Sequence, residues 1–355
     1  MIQDRKKGRV LLGMSGGVDS SVAAVLLKQA GFEVIGATMQ LYQNKEEGEK
    51  TLQDAKKVCE KLEIPHYTID CTKEFRTHVV ENFIGCYACA KTPNPCVECN
   101  QYLKFGAFYE KAKELGCEYI ATGHYAKIEF DDKYNANVLK KANNIQKDQS
   151  YVLYDIKKEM LNHTIFPLGK FESKEEIREI AKKYGLDVAN KPDSEDICFI
   201  PNGDYKEFLE KKAKFKPKEG NIVDKKGNIL GKHNGLYKYT IGQRKGLGIS
   251  NPVPLFVIDF NKLKNELIVG EEKDLYKDSL LAADINWLVD NVKTGIKVNA
   301  KIRYAAEPKP AKIILLTKGY ARVIFDEPQR AITPGQSVVF YDGDVVLGGG
   351  KILSH

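Results

Sequence analysis

No run of apolar residues in this 355-residue chain approaches the ~20 that a membrane span needs. The stretch before the first strand, Met1-Ile2-Gln3-Asp4-Arg5-Lys6-Lys7, also lacks the apolar core of a secretory signal. The reading is therefore cytoplasmic, with no membrane partner. Internal repeats and low-complexity tracts are lacking as well, and the length predicts two or three ordinary domains. Two common nucleotide signatures are missing. The glycine-rich loop near the start has Val18-Asp19-Ser20 where a Walker A loop needs a lysine before its hydroxyl, and it is not G-x-G-x-x-G, which disfavours a dinucleotide fold. Charge of one sign is not dominant: 55 basic and 48 acidic side chains give +7, which favours a polyanionic partner without requiring one. The eight cysteines, with no export signal, are read as thiols, metal ligands or redox groups rather than structural disulfides.

What is present begins with Ser15-Gly16-Gly17-Val18-Asp19-Ser20-Ser21, between a strand-like run, Arg9 to Leu12, and a helix-like one, Val22 to Gln29. Adjacent glycines allow a tight turn with converging N–H groups, and the following helix aims its positive end at any bound anion, so the loop reads as a phosphate cradle. The pattern S-G-G-x-D-S resembles the pyrophosphate loop of ATP pyrophosphatases, which implies that ATP is split to AMP and pyrophosphate, with Mg2+. Apolar strand-like runs at Val10 to Leu12, Glu33 to Met39, His66 to Ile69 and Tyr119 to Thr122 alternate with helical ones, the rhythm of a parallel sheet covered on both faces. The Ser15 loop, Met39 and Gly123-His124 are then expected in one crevice at the carboxyl ends of the strands.

Two further helical patterns, Tyr151 to Leu161 and Lys174 to Tyr184, precede a polar loop, Asn190 to Glu195, that leads to Cys198. Lysine-rich Lys206 to Lys218 reads as a helix and linker. Short alternating runs with turns such as Asp224-Lys225-Lys226-Gly227-Asn228 and Asp342-Gly343-Asp344 follow. The fold class is therefore α/β, a parallel-sheet domain over 1–205, followed by two small all-β domains, a central one over 206–275 and a carboxyl-terminal β-barrel over 276–355.

Asn94 and Pro95 predict the start of a helix, the asparagine as N-cap and the proline at its first position. Cys96 and Cys99 then share one face of its first turns, where the helix end is expected to lower their pKa. Cys86 and Cys89 form a second C-x-x-C, read as one face of a helix ending before Thr92 rather than as half of a four-thiol zinc site. Cys59, Cys71 and Cys117 read as core residues.

The series Gly13-Met14-Ser15-Gly16-Gly17-Val18-Asp19-Ser20, Thr92-Pro93-Asn94-Pro95, Cys99-Asn100, Ala121-Thr122-Gly123-His124-Tyr125, Lys147-Asp148-Gln149-Ser150-Tyr151, Ile197-Cys198-Phe199-Ile200, Gly242 to Gly248 and Thr333-Pro334-Gly335-Gln336 resembles the bacterial tRNA-specific 2-thiouridylases from end to end. The resemblance implies an ATP-dependent sulfurtransferase that adenylates the C2 oxygen of a wobble uridine and replaces it with sulfur. It implies ATP along Gly13 to Ser20, Met39 and Gly123, Cys198 as persulfide carrier, and Cys99 as the thiolate that assists release, leaving a Cys99–Cys198 disulfide. It further implies RNA contacts at Asn94, Pro95, Cys96, His124, Lys147, Asp148, Gln149, Arg303, Tyr304 and Gln336, and a sulfur-relay protein or cysteine desulfurase as donor. Many members carry aspartate where this chain has Cys96. Three soft ligands, Cys96, Cys99 and Cys198, therefore raise the alternative of a [4Fe-4S] cluster. Two competing readings of the whole are an amide-forming ligase with the same loop and an RNA-binding protein without chemistry.

Overall fold

The computed structural model describes residues 7–41, 45–191, 197–200 and 203–355. Most of the polar stretch expected before Cys198 lies outside them. The amino-terminal part carries β1 (Arg9–Gly13), β2 (Glu33–Gln40), β3 (His66–Asp70), β4 (Tyr119–Ala121), β5 (Ala126–Asp131), β6 (Ala136–Lys141) and the short β7 (Thr164–Ile165). Five of these form a parallel sheet in the order β3-β2-β1-β4-β7. Val10, Leu11 and Leu12 are all fully buried, as a strand covered on both faces requires. Val10 and Leu12 face the core built with helices α1 (Val18–Gln29) and α2 (Lys45–Lys61), whereas Leu11 faces Phe75, Leu103 and Phe108 on the other side. β1 continues into β2 on one side and pairs with β4 on the other, so the crevice between the ends of β1 and β4 is the topological switch point.

A helix over 95–114 runs across that second face, and we call it the thiol helix. Pro95 occupies its first position, and the Asn94 side chain accepts the Cys96 amide at 3.2 Å. Its middle, Cys99–Ala107, is π-helical. Among the described residues no helix is long and apolar enough to cross a membrane.

The rest of the chain is β-structure after a short helix, Tyr205–Lys211, capped by Asp204. Strands β8 (Glu219–Val223), β9 (Ile229–Asn234), β10 (Phe256–Asn261) and β11 (Glu266–Gly270) form a sheet in the order β10-β11-β8-β9. Asp224 closes its first turn by accepting the amides of Lys226 at 2.8 Å and Asn228 at 2.9 Å. Strands β12 (Tyr276–Trp287), β13 (Ile296–Lys301), β14 (Lys309–Leu315), β15 (Ala321–Arg330), β16 (Ser337–Asp342) and β17 (Val345–Ser354) follow. They close into a six-stranded antiparallel barrel because β17 pairs back onto β12. Along β15, Ala321, Val323 and Phe325 are buried while Arg322, Ile324 and Asp326 are exposed, the alternation of a sheet with one wet face.

Two elements differ from the sequence reading. Residues 151–161 are not one helix: 3-10 turns at Ser150–Val152 and Lys158–Asn162 flank an irregular stretch. Residues 151–156 are all buried, so this stretch has no solvent face and threads between the first domain and the barrel, and of 151–161 only Lys157 to Glu159 reach solvent. Asn286 holds it by donating to the carbonyls of Tyr154 and Ile156 at 2.8 and 2.9 Å, and the Tyr151 hydroxyl donates to the Ser337 carbonyl at 2.8 Å. The second difference is the β5–β6 hairpin, for which the sequence reading had no strands. It extends the barrel sheet through β6 and β17 at Lys140 and Val345.

Charge is buried at the same junction. Lys351 of β17 pairs with Glu98 of the thiol helix at 2.8 Å, with the Glu98 side chain only 7% exposed. Asp155 and Asp284 act on the same lysine. Burial pushes the Asp155 carboxyl up to about 7, with Lys351 opposing and Glu98 and Asp284 reinforcing the rise. An unfolded aspartate titrates near ~4, so between about pH 4 and pH 7 the folded chain holds the extra proton, and this group makes stability fall as pH rises through that window. Asp155→Asn is expected to flatten that part of the profile. Urea midpoints at about pH 5 and about pH 8 check it, and an equal drop in parent and variant refutes it.

Candidate active site

The loop after β1 is held by its neighbours. The Met14 amide donates to the Ala37 carbonyl at 2.8 Å, and Thr38 donates its hydroxyl to the Met14 carbonyl at 2.9 Å. Gly16 lies at φ +65°, and a Cβ there would fall 2.8 Å from the Thr51 carbonyl oxygen of α2, so only glycine fits. The Gly17 carbonyl accepts the hydroxyls of Ser20 and Ser21 at 3.2 and 2.8 Å, tying the first turn of α1 to the loop. Gly123, just beyond β4, approaches the same turn so closely that a Cβ would stand 3.0 Å from the Ser20 nitrogen. Met39, near the end of β2, is partly exposed. Asp19, the loop's one acidic side chain, accepts from Tyr125 at 2.7 Å and from Lys174 at 2.7 Å through each oxygen. The loop and the Gly123 turn therefore meet at the switch point, ahead of the positive end of a 12-residue helix.

The three thiols share one neighbourhood. Cys96 and Cys198 are exposed and Cys99 is buried, and all eight cysteines are free. Phe199, packed edge to face against Phe75, Phe83 and Phe208, anchors the segment that carries Cys198. The electrostatic field at Cys198 comes from Cys99, Cys96 and Lys104. At Cys99 burial outweighs the lowering expected from the helix start. Burial raises Cys99, with Lys104 pulling the other way, and crowding by protein pushes Cys198 up to about 12 although solvent reaches the residue. Accessibility rather than acidity distinguishes Cys198. Among the described residues no group of three His, Cys, Asp or Glu side chains stands close enough to hold a metal ion. A [4Fe-4S] cluster spreads its thiolates over several iron atoms, a wider spacing than one ion demands, and no step is derived through a cluster.

Lys104 was not singled out in the sequence, because five residues separates faces in an α-helix. In the π-helical stretch, where backbone bonds run from i to i+5, it lies one turn beyond Cys99. Its Nζ stands 3.2 Å from His124 Nε2, and His124 Nδ1 stands 2.6 Å from the Thr122 hydroxyl. An ammonium can only donate, so Nε2 accepts and the ring proton sits on Nδ1. Burial, with Lys104 adding, holds the imidazole pKa well below its ordinary value, so the ring is neutral. Phe105 and Phe166 flank it.

Several expected RNA contacts also have partners within the protein, and of these His124 and Asp148 are buried while Gln149, Arg303 and Gln336 are partly exposed. His124 is 7% exposed and serves Lys104. Asp148 is buried and accepts the amides of Ala142 and Ser150 and the Ser150 hydroxyl. Gln149 accepts the Tyr125 amide at 3.0 Å. Arg303 donates to the carbonyls of Ile241 and Ala331 at 3.1 and 2.9 Å and to the Thr333 hydroxyl. Gln336 donates to the carbonyls of Thr92 and Pro93 at 2.8 and 3.2 Å. Main-chain groups take up Asp148, Gln149, Arg303 and Gln336, whereas His124 is held by the side chains of Lys104 and Thr122. Pro95 is buried, while Asn94 and Lys147 are partly exposed. Cys96 and Tyr304 face solvent, the tyrosine 43% exposed and within the electrostatic reach of Cys96. Lys301 lies 5.7 Å from the Tyr304 ring centre, which offers a flat surface beside a cation for a nucleic-acid base.

Residues 8–202 match the family described as tRNA methyl transferase HUP domain, 206–271 the tRNA methyl transferase PRC-barrel domain, and 277–352 the aminomethyltransferase beta-barrel domain. The chain is 49% identical to the tRNA-specific 2-thiouridylase MnmA of Clostridioides difficile strain 630, over 97% of this chain and 98% of that one. It is 50% identical to the protein of the same name from Clostridium botulinum strain Alaska E43, over 98% of both.

Alkylation of the native protein is expected to follow exposure rather than cysteine spacing. Cys89, Cys96 and Cys198 should be modified by iodoacetamide, and Cys59, Cys71 and Cys117, each buried, should be protected. Peptide mass spectrometry reads the pattern; Cys59 and Cys198 are both pushed up to about 12, so exposure alone separates them, and a Cys198 modified no faster than buried Cys59 would contradict the placement of its segment.

Proposed function

As the chain belongs to the tRNA-specific 2-thiouridylase MnmA family, we propose that it is a tRNA sulfurtransferase that replaces the C2 oxygen of a wobble uridine with sulfur and uses ATP, as its Mg2+ complex, to do so. The observation that carries this reading is the link from the thiols to the loop: Lys104, which acts on both Cys99 and Cys198, meets His124, next to the Gly123 turn that packs against the start of α1. Gly13 to Ser20, Met39 and Gly123 are the residues for ATP. Cys96 and Tyr304, which are exposed, and Asn94, Lys147, Gln149, Arg303 and Gln336, which are partly exposed, are the RNA-facing set that exposure supports.

Uridine O2 attacks the α-phosphorus and pyrophosphate departs, which turns a poor leaving group into AMP. A donor protein, of sulfur-relay or cysteine desulfurase type, loads Cys198 as a persulfide. Its outer sulfur bonds to C2, AMP leaves, and the Cys99 thiolate attacks the Cys198 sulfur. This step frees 2-thiouridine and leaves a Cys99–Cys198 disulfide that a thiol reductant reopens. Lys104 favours the Cys99 thiolate against its burial, and neutral His124 holds that ammonium without a competing charge.

Nucleoside mass spectrometry of tRNA incubated with the protein, ATP, Mg2+ and a persulfide donor tests the reading. 2-Thiouridine should form with the parent chain and with Cys96→Ala, and vanish with Cys99→Ala and Cys198→Ala. Lys104→Met should slow product formation by ~10²-fold, the scale of losing one preorganised charged group in a closed site. Absence of 2-thiouridine with the parent chain would end the proposal.

A further inference from the structure

The phosphate loop has a deficit that its own residues do not make good. From Gly13 to Ser20 its single charged side chain is Asp19, which is acidic. A helix amino terminus supplies only about half a positive charge, while a nucleoside triphosphate carries several negative ones. Walker A loops meet this need with a lysine inside the loop, and here none exists.

The fold brings two from elsewhere. Lys174 Nζ lies 2.7 Å from both oxygens of Asp19, at the start of α1, with its side chain only 10% exposed. Lys191 Nζ donates to the Gly16 carbonyl at 2.8 Å and pairs with Asp54 of α2, beside the left-handed turn. One helix, Lys174–Lys183, places both. Ser173 caps it with a reciprocal Ser173–Glu176 box, which fixes Lys174 at its first position. Arg178 of the same helix donates to the carbonyls of Ala189 and Lys191, which fixes the backbone under the second lysine.

The geometry points to Lys174 and Lys191 as the cations that bind the polyphosphate of the nucleotide, one at each end of the Ser15 loop. Asp19 and Asp54 hold the two ammonium groups at the loop while no phosphate is there. A polyphosphate, with more charge and more acceptor oxygens, draws them onto itself. This assignment rests on the ATP-using reading above.

The rival is a purely structural clasp, in which the two ion pairs only keep the loop folded. Calorimetric titration of the full chain with a non-hydrolysable ATP analogue and with pyrophosphate separates them. Lys191→Gln and Lys174→Gln should each weaken binding by ~10- to 100-fold, as expected for loss of charge-assisted hydrogen bonds. Lys191→Arg should recover most of the loss. Asp54→Asn keeps the cation and removes its partner: it should bind at least as tightly as the parent if Lys191 serves the ligand, and as weakly as Lys191→Gln if the pair is a clasp. Binding by Lys191→Gln within about twofold of the parent, or an Asp54→Asn defect matching it, overturns the assignment. Thermal unfolding of each unliganded variant identifies any that fail to fold, and Asp54→Asn and Lys191→Arg then decide. A parent chain that binds neither probe overturns both this inference and the ATP-using reading. A parent that binds them but makes no 2-thiouridine overturns the proposed sulfur transfer alone.

Discussion

The position of the thiol helix is decided at residues 92–94, and the contacts that fix them come from far along the chain. The Thr92 amide donates to the Pro334 carbonyl at 3.0 Å, Gln336 bonds the carbonyls of Thr92 and Pro93, and the Thr92 and Thr240 hydroxyls lie 3.3 Å apart. Gly335 stands so near that a Cβ would fall 2.9 Å from both the nitrogen and the oxygen of Thr92, so the two loops meet backbone to backbone. Arg303 then ties the barrel loop at Ala331 and Thr333 to Ile241, next to the central sheet. Asn94, Cys96 and Cys99 follow directly from this seam. A buried polar group left unpaired there would cost about 1–3 kcal/mol, which is what removing any one of these partners would impose on the other.

The same junction concentrates charge on the far side of the thiol helix. One ammonium, Lys351, faces Glu98 directly and acts on Asp155 and Asp284, while burial keeps the Asp155 proton in place near neutrality. A second cation, the partly buried Lys104 of the helix itself, acts on the thiols and is held by a histidine that burial keeps neutral. Lys351 reaches the helix from the barrel. The helix is thus fixed at Glu98 by an ion pair and polarised at Cys99 by a cation, one residue apart in sequence.

Much of this was legible in the residues, and where it was not the reason is physical. Strands buried on both faces read as plain apolar runs, so β1 to β4 were visible, as were the Gly16 turn and the Asn94-Pro95 helix start. Residues 151–161 looked helical because apolar side chains recur there, but the run 151–156 is buried on all sides and carries no periodic signal that separates helix from irregular chain. Lys104 was hidden by the π-helical register, which no local pattern announces. Lys174 and Lys191 carry no local signal of a role, since only the tertiary fold brings them to a loop more than a hundred residues earlier. Asp148, Gln149, Arg303 and Gln336 show the complementary limit. Their polar character was plain, but the sequence does not say whether such groups point at solvent or at a neighbouring main chain.

The β5–β6 hairpin has a consequence for how the chain is made. It belongs in sequence to the first domain but in space to the barrel sheet, where its partner is β17. On the ribosome the hairpin emerges long before that strand, with one edge unpaired and Phe130 on its surface. β17 also closes the barrel against β12, so a single late strand completes both structures. Until it arrives the nascent chain has an open edge and an open barrel together, and that interval is its period of greatest exposure to misassociation with other chains.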